Sequence, residues 1–284
     1  MNTRLLQRFA AHPAALPALF GLAVILLFAL LGQALSPFNP VLADPHAQLL
    51  PPMWQPGGVS AHPLGTDDLG RDMLSRLLHG ARLTMGSATL AMLLALAIGV
   101  VLGSIAALSR GLVELLLKRL MDVLLAFPSL LLAILLALVL GSGMTVSVIA
   151  VAVALVPHFF RASHDGLHEE LGKDYVAAAK LDGAGATSLY LQTLLPNIAA
   201  PIVVRITLAF STAVLDIAAL GFLGLGAAAP IPEWGNLLAS AHDFIQVAPW
   251  TVTLPGLAIL LTVLCANLVG DALRDAVNPR GANP

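Results

Sequence analysis

The chain has 284 residues, of which 58% are hydrophobic and only 11% charged, with a formal net charge of −2. A soluble domain carries about 25% charged residues, so this chain cannot cover a water-facing surface and lipid is its expected solvent. The balanced charge and 5% aromatic content argue against a nucleic-acid surface, and the single cysteine, Cys265, excludes an internal disulfide or a cysteine metal cluster.

Only a helix satisfies its own backbone in lipid, and a core about 30 Å thick needs roughly 20 apolar helical residues. Leu16–Leu35 is the first such run, and it is uncharged. Arg4 and Arg8 precede it as a signal peptide's basic residues would. The run is nevertheless longer than the apolar stretch of about 7–15 residues in such a peptide, so a retained span is expected. Residues 36–62, rich in Pro and Gly, predict an irregular but ordered loop. Within the next stretch, Thr66, Asp67, Asp68 and Asp72 can cap the helix that carries Arg71 and Arg76, with Gly65 and Gly70 freeing the backbone. Leu83–Leu108 is the second span, where Gly99 and Gly103 form a GxxxG that permits close helix approach. Glu114, Lys118 and Asp122 make a polar, solvated helix face leading into the third span, Val123–Leu140. Gly141-Ser142-Gly143 then turns the chain into the fourth, Met144–Phe160.

The stretch Asp165–Pro196 predicts a bracket. Leu167–Leu181 reads as a helix and Asp182-Gly183-Ala184-Gly185 as a turn. Thr187–Leu195 reads as a second helix capped by Thr187 or Ser188, ended by Pro196. The fifth span, Ile198–Leu220, carries Arg205 and Asp216. An ionisable residue in a span faces the bundle or a wet cavity. Their spacing places both on one helix face roughly 16 Å apart, too far to pair. Gly221, Gly224 and Gly226 predict a re-entrant turn packed against Trp234, and Trp250–Val269 is the sixth span.

An even number of spans puts both termini on one side. With the N-terminus inside, Arg4, Arg8, Arg110, Lys118, Arg119, Arg161, Lys173, Lys180, Arg274 and Arg280 are cytoplasmic, against Arg71, Arg76 and Arg82 outside. This asymmetry predicts cytoplasmic termini. Enzyme motifs are missing from the sequence. There is no GxSxG and no HExxH, and His168-Glu169-Glu170 lacks a second histidine one turn on. Gly166…Gly172-Lys173-Asp174 has the wrong spacing for a P-loop and an Asp where Ser or Thr would hold magnesium. Neither catalysis nor a resident cofactor or metal is expected of this chain.

The order Ala178-Ala179, three residues, Gly183, nine residues, Thr193-Leu194-Leu195-Pro196 resembles the EAA loop of binding-protein-dependent ABC importer permeases. Ala177 stands where many members have Glu, and Thr193 where an aliphatic residue is usual. His62-Pro63-Leu64-Gly65-Thr66-Asp67-Asp68-Leu69-Gly70-Arg71-Asp72, Ala219–Gly226 with Pro232-Glu233-Trp234-Gly235, and Asn267–Asp275 are similar to peptide/nickel-type permeases. The likeness is greatest to the C-type subunit of bacterial dipeptide importers.

The resemblance implies an all-α, multi-pass inner-membrane protein of about six spans with the type I ABC importer fold. Its expected parts are 1–82 (first span and outer loop), 83–276 (permease core with the cytoplasmic loop 161–197) and 277–284 (tail). The implied partners are a homologous B-type permease, two ABC ATPase subunits that bind ATP and magnesium, and an outer substrate-binding protein. The implied role is half of a path for dipeptides or short peptides. Nickel, glutathione or another small solute is the alternative cargo, and a scaffold without a path is the alternative class. Asp174, Ala178, Ala179, Asp182, Gly183, Gly185 and Pro196 are the expected ATPase-coupling residues. Asp216 and Arg205 are the candidates for the path. Gly65, Thr66, Asp67, Gly70, Arg71 and Asp72 form the outer motif, either as local architecture or as a contact for the binding protein.

Overall fold

A computed structural model describes residues 3–109 and 111–277. Arg110, Arg280, the tail beyond Val277 and the side chain of Arg4 lie outside the described residues. The short α1 (Thr3–Ala11) leads into α2 (Ala15–Leu35), and an irregular segment follows up to α3 (Met73–Leu108). Then come α4 (Leu112–Leu125), α5 (Ser129–Leu140), α6 (Met144–Leu171) and α7 (Asp174–Leu181). α8 (Ala186–Ser188), a π-helical turn (Leu189–Leu194) and α9 (Leu195–Phe222) run on as one helix of 37 residues. α10 (Trp234–Ala241) and α11 (Trp250–Val277) complete the chain.

Among the described residues, five helices are long and apolar enough to span, and a sixth span is available if the bent pair α4 and α5 counts as one. The third span differs from expectation. Val123–Leu140 is no continuous helix, because the chain bends by 95° between α4 and α5. Pro128, which lacks an N–H and disfavours helical angles at Phe127, sits at the break. α5 has 12 residues, about 18 Å of helix, too short to cross alone. The second span also starts early. α3 begins at Met73 with 36 residues, about 54 Å of helix, so Arg82 rides on it rather than in the outer loop, Arg76 lies in its first turn as expected, and Arg71 precedes its Asp72 cap.

The core is small-residue packing, which lets helices approach without a hydrophobic drive between them. α3 packs along α6 and α9 through Ala88, Ala91, Ala95, Ala150, Val151, Phe159, Ala213 and Ile217. The expected GxxxG serves this contact. A Cβ on Gly99 would meet the Phe159 Cβ at 2.6 Å, and one on Gly103 the Phe160 carbonyl at 2.6 Å. The polar face at Glu114, Lys118 and Asp122 is more than solvated. Glu114 meets His164 Nε2 at 3.2 Å, and Arg161 donates to Asp122 at 2.8 Å, tying α4 to α6.

The ends of the bundle are distinct. The 36–72 segment, the start of α3, the end of α9 and α10 share one end. The α7–α8 bracket occupies the other, together with α1 and the end of α11, where His12 Nε2 lies 3.8 Å from Asp275.

Candidate functional site

The bracket departs from its expected outline in three ways. Its first helix is interrupted, with α6 stopping at Leu171 and α7 starting anew at Asp174 beyond Gly172 and Lys173. No hydroxyl caps the second helix. Gly185 stands at its N-cap without a side-chain bond, and the Ser188 hydroxyl instead bonds Gln192 at 3.0 Å. Pro196 does not end the helix. The turn before it is π-helical, with Leu195 N–H donating to the Tyr190 carbonyl, and Pro196 falls in the first turn of α9. The π turn's i→i−5 bonding already interrupts the i→i−4 ladder where Pro196 lacks its N–H, so the helix runs on through it.

Six buried apolar residues hold the bracket: Val176 from α7, Leu189 and Leu194 from the π turn, Leu167 from α6, and Ile198 and Ile202 from α9. Ala179 packs partly against them, while Asp174 and Ala178 are exposed. The tip beyond is bare. Leu181 is 88% exposed, Asp182 and Gly183 are exposed, and a Cβ on Gly183 or Gly185 would meet nothing within 4 Å. Gly183 has φ +85°, a left-handed conformation that closes α7 with Ala184 N–H on the Ala179 carbonyl. A side chain there would strain the turn but touch nothing of this chain.

The opposite end is built from buried charge. Asp67 accepts from Arg71 N–H at 2.9 Å and Arg71 Nε at 2.6 Å, and it lies 3.3 Å from Arg76 Nε. Arg76 also donates to the Pro40 carbonyl at 2.8 Å. Asp72 caps α3, accepting from Ser75 N–H at 2.7 Å, with His62 Nδ1 3.0 Å from its other oxygen. Asp68 only skirts the cluster, 3.7 Å from Arg71. Thr66 is a staple rather than a cap. Its hydroxyl donates to the Ala47 carbonyl at 2.5 Å and accepts from Leu50 N–H at 2.8 Å. Gly65 and Gly70 both take positive φ, and a Cβ on Gly70 would overlap the Asp44 carbonyl. Five of the six motif residues are thus tied to one another or to the 36–52 segment by their side chains or close backbone approach. The sixth, Asp72, caps α3.

Glu233, which follows Pro232 and precedes Trp234, has a structural role that its residue type alone did not reveal. It is 1% exposed and accepts from Gly235 N–H and Asn236 N–H, both at 2.9 Å, and from the Thr84 hydroxyl at 2.8 Å. It caps α10 and joins that helix to α3. Burial pushes its carboxyl above the ordinary range, while the three hydrogen bonds pull it down. An acid directly before Trp-Gly was the available signal, since Glu233 is an N-cap. Gly221 packs on this carboxylate and Gly226 on the Gly221 backbone, rather than on Trp234. The indole packs against Gly80 and donates to the Leu77 carbonyl at 3.1 Å.

Asp216 and Arg205 are not brought together. Asp216 is buried on α9 where α5 folds over it, near the Ser129 hydroxyl, and its Oδ2 has no hydrogen-bond partner. Arg205, half-buried, lines a cleft of about 480 Å³ at the bracket end between α6, α9 and α11. Eleven residues apart on α9, the two share one helix face.

Residues 99–282 match the family described as the inner-membrane component of binding-protein-dependent transport systems. Residues 3–52 match the N-terminal transmembrane domain of oligopeptide transport permease C. The chain is 46% identical to the di/tripeptide transport system permease protein DppC of Pseudomonas aeruginosa, over 98% of this chain and 91% of that protein. It is 45% identical to the peptide transport system permease protein SapC of Escherichia coli, over 95% and 92%. It is 40% identical to the dipeptide transport system permease protein DppC of Haemophilus influenzae, over 96% and 92%. In fold it matches a chain of the MetNI methionine ABC transporter in an inward-facing crystal form, with TM-score 0.60 and 17% identity over 72% of this chain and 98% of that one.

Proposed function

The chain belongs to the family of inner-membrane components of binding-protein-dependent transport systems, and on that premise we propose that it forms half of a translocation path for dipeptides or short peptides. Its partners in this reading are a homologous permease subunit, two ABC ATPase subunits and an outer binding protein. The bracket end, which carries α1 and the end of α11, faces the cytoplasm, in keeping with the charge asymmetry of the sequence. Closure of the ATPases on ATP pulls the bracket, and the rigid α6 and α9 that hold its roots carry the movement into the spans. The observation that carries this reading is the bare bracket tip on an apolar base. The base fixes the lever, and the tip offers backbone and Leu181 to a groove in another protein. Asp216 and Arg205 mark the path in this reading, because they share one face of α9 and the buried Asp216 keeps one carboxylate oxygen without a hydrogen-bond partner among the described residues. The peptide cargo is inferred from the names of the relatives.

Purification of the tagged chain from its native membrane tests the proposal. ATPase subunits should co-purify, and a peptide-loaded binding protein should stimulate their hydrolysis. A chain that purifies without ATPases from membranes in which they are present would be the scaffold of the rival reading.

A further inference from the structure

The cleft that Arg205 lines contains two more charged residues, both from distant stretches of the chain. Glu169 comes from the last turn of α6 and Arg274 from the last turn of α11, with Pro201, Val204 and Leu208 of α9 forming an apolar wall. Neither arginine lies within ion-pair distance of a carboxylate among the described residues, whereas Glu169 reaches Lys173 at 3.8 Å. Two guanidinium groups from different helices, one carboxylate and an apolar wall match a small molecule with an anionic end, a cationic end and an apolar side chain. The volume of about 480 Å³ lies within the roughly 300–1,000 Å³ of small-molecule sites.

We propose that this cleft is an exit-side station for the translocated peptide, holding its C-terminal carboxylate between Arg205 and Arg274 and its N-terminal ammonium at Glu169. The assignment rests on the importer reading and deepens it by naming a substrate class, peptides with both termini free. A guanidinium fork matches a carboxylate with two parallel hydrogen bonds, which a carboxamide cannot replace. The station opens at the bracket end, which in this reading closes when the ATPases pull the bracket. Occupancy therefore opposes closure, and cytoplasmic peptide slows the cycle.

The test uses the full transporter in liposomes, with binding protein and saturating dipeptide sealed inside and ATP outside, where the ATPases face. An unmodified dipeptide added outside at millimolar concentration should slow ATP hydrolysis. Its C-amidated form should need about tenfold more, the loss of one charge-assisted hydrogen bond. Arg274→Gln, compared with its own uninhibited rate, should erase that difference, and Arg274→Lys should keep part of it. Glu169→Gln should erase the corresponding preference over the N-acetylated peptide. Equal potency of free and amidated peptides on the wild type would overturn the proposal without needing any variant, as would an Arg274→Gln protein that still discriminates. Inhibition that follows the phosphatidylethanolamine content of the vesicle and ignores peptide would assign the cleft to a lipid headgroup and overturn it too. If the loaded binding protein fails to stimulate hydrolysis before any outside peptide is added, the importer reading itself falls and takes the station with it. Normal stimulation without carboxylate-dependent inhibition removes the station alone.

Discussion

The two ends of this bundle are stabilised by opposite means. At one end, Asp67, Arg71, Arg76, Asp72 and Glu233 are buried, and hydrogen bonds knit them to the 36–52 segment, α3 and α10. At the other, the α7–α8 bracket has six buried apolar side chains at its root and nothing around its tip. Buried charge networks tolerate little movement, because displacing one partner strands the other in low dielectric. Apolar packing against two long helices fixes the base of a lever while leaving its end free for another protein. The first end is built to keep its shape, and the second is built to be held.

The largest expected effect follows from removing the hub of the charged end. Asp67→Ala would leave two guanidinium groups buried without their carboxylate, a loss of about 3–5 kcal/mol for a broken buried pair. Thermal unfolding in detergent should show a collapsed midpoint or no folded yield. A midpoint unchanged from wild type would mean that water reaches the cluster and the two ends differ less than described.

Next is the bracket turn. Gly183→Asp places a charge at a bare tip whose φ is +85°. It should fold and insert but lose ATPase association, because desolvating that charge in a docked groove costs several kcal/mol. Gly183→Ala separates strain from docking. It keeps the conformational penalty, about 1 kcal/mol, without the charge, so it should weaken coupling only partly. Equal ATPase content in all three proteins would remove the functional half of the contrast.

Asp216→Asn tests the face between the ends. Uptake should fall several-fold while assembly with the partners is unchanged, since the carboxyl makes few bonds of its own to the fold. Wild-type transport by this variant would take Asp216 out of the mechanism. The smallest effect is expected at Arg161→Gln. Its pair with Asp122 has both side chains about half exposed, and exposed pairs contribute about 0–1 kcal/mol. A shift in stability larger than that would show the α4–α6 link to be part of the core.

Much of this contrast was legible in the sequence, and what was missed has definable causes. Uncharged runs located α2, α3, α6 and α11, and an apolar run with two charges located α9, because lipid imposes a length that composition alone satisfies. The same logic failed at Pro128, where apolar composition continues across a break that only backbone stereochemistry marks. It failed at Pro196 for the opposite reason. A proline that usually ends a helix is absorbed here by the π turn before it, a device without a residue-type signature. The aspartates of the motif announced capping, and Asp72 caps as expected. The role of Asp67 as the hub of two arginines depends on how the 36–52 segment folds back, which local spacing does not encode. Arg205 and Asp216 were visible as charges in a span. The meeting of Arg205 with Glu169 and Arg274 joins three distant stretches of chain and needed the fold.

The claim that one end is built to be held is tested most directly by cross-linking. With Cys265→Ala as background, one cysteine replaces Leu181 at the bracket tip and another, in a separate protein, replaces Trp54 in the opposite loop, both positions being well exposed. In native membranes, a short bifunctional reagent should join the Leu181→Cys chain to an ATPase subunit, with a yield that changes on adding ATP. The Trp54→Cys chain should never be joined to that subunit. Cross-linking of the ATPase to the Trp54 position, or none at Leu181 under conditions where the assembled complex hydrolyses ATP, would contradict the account.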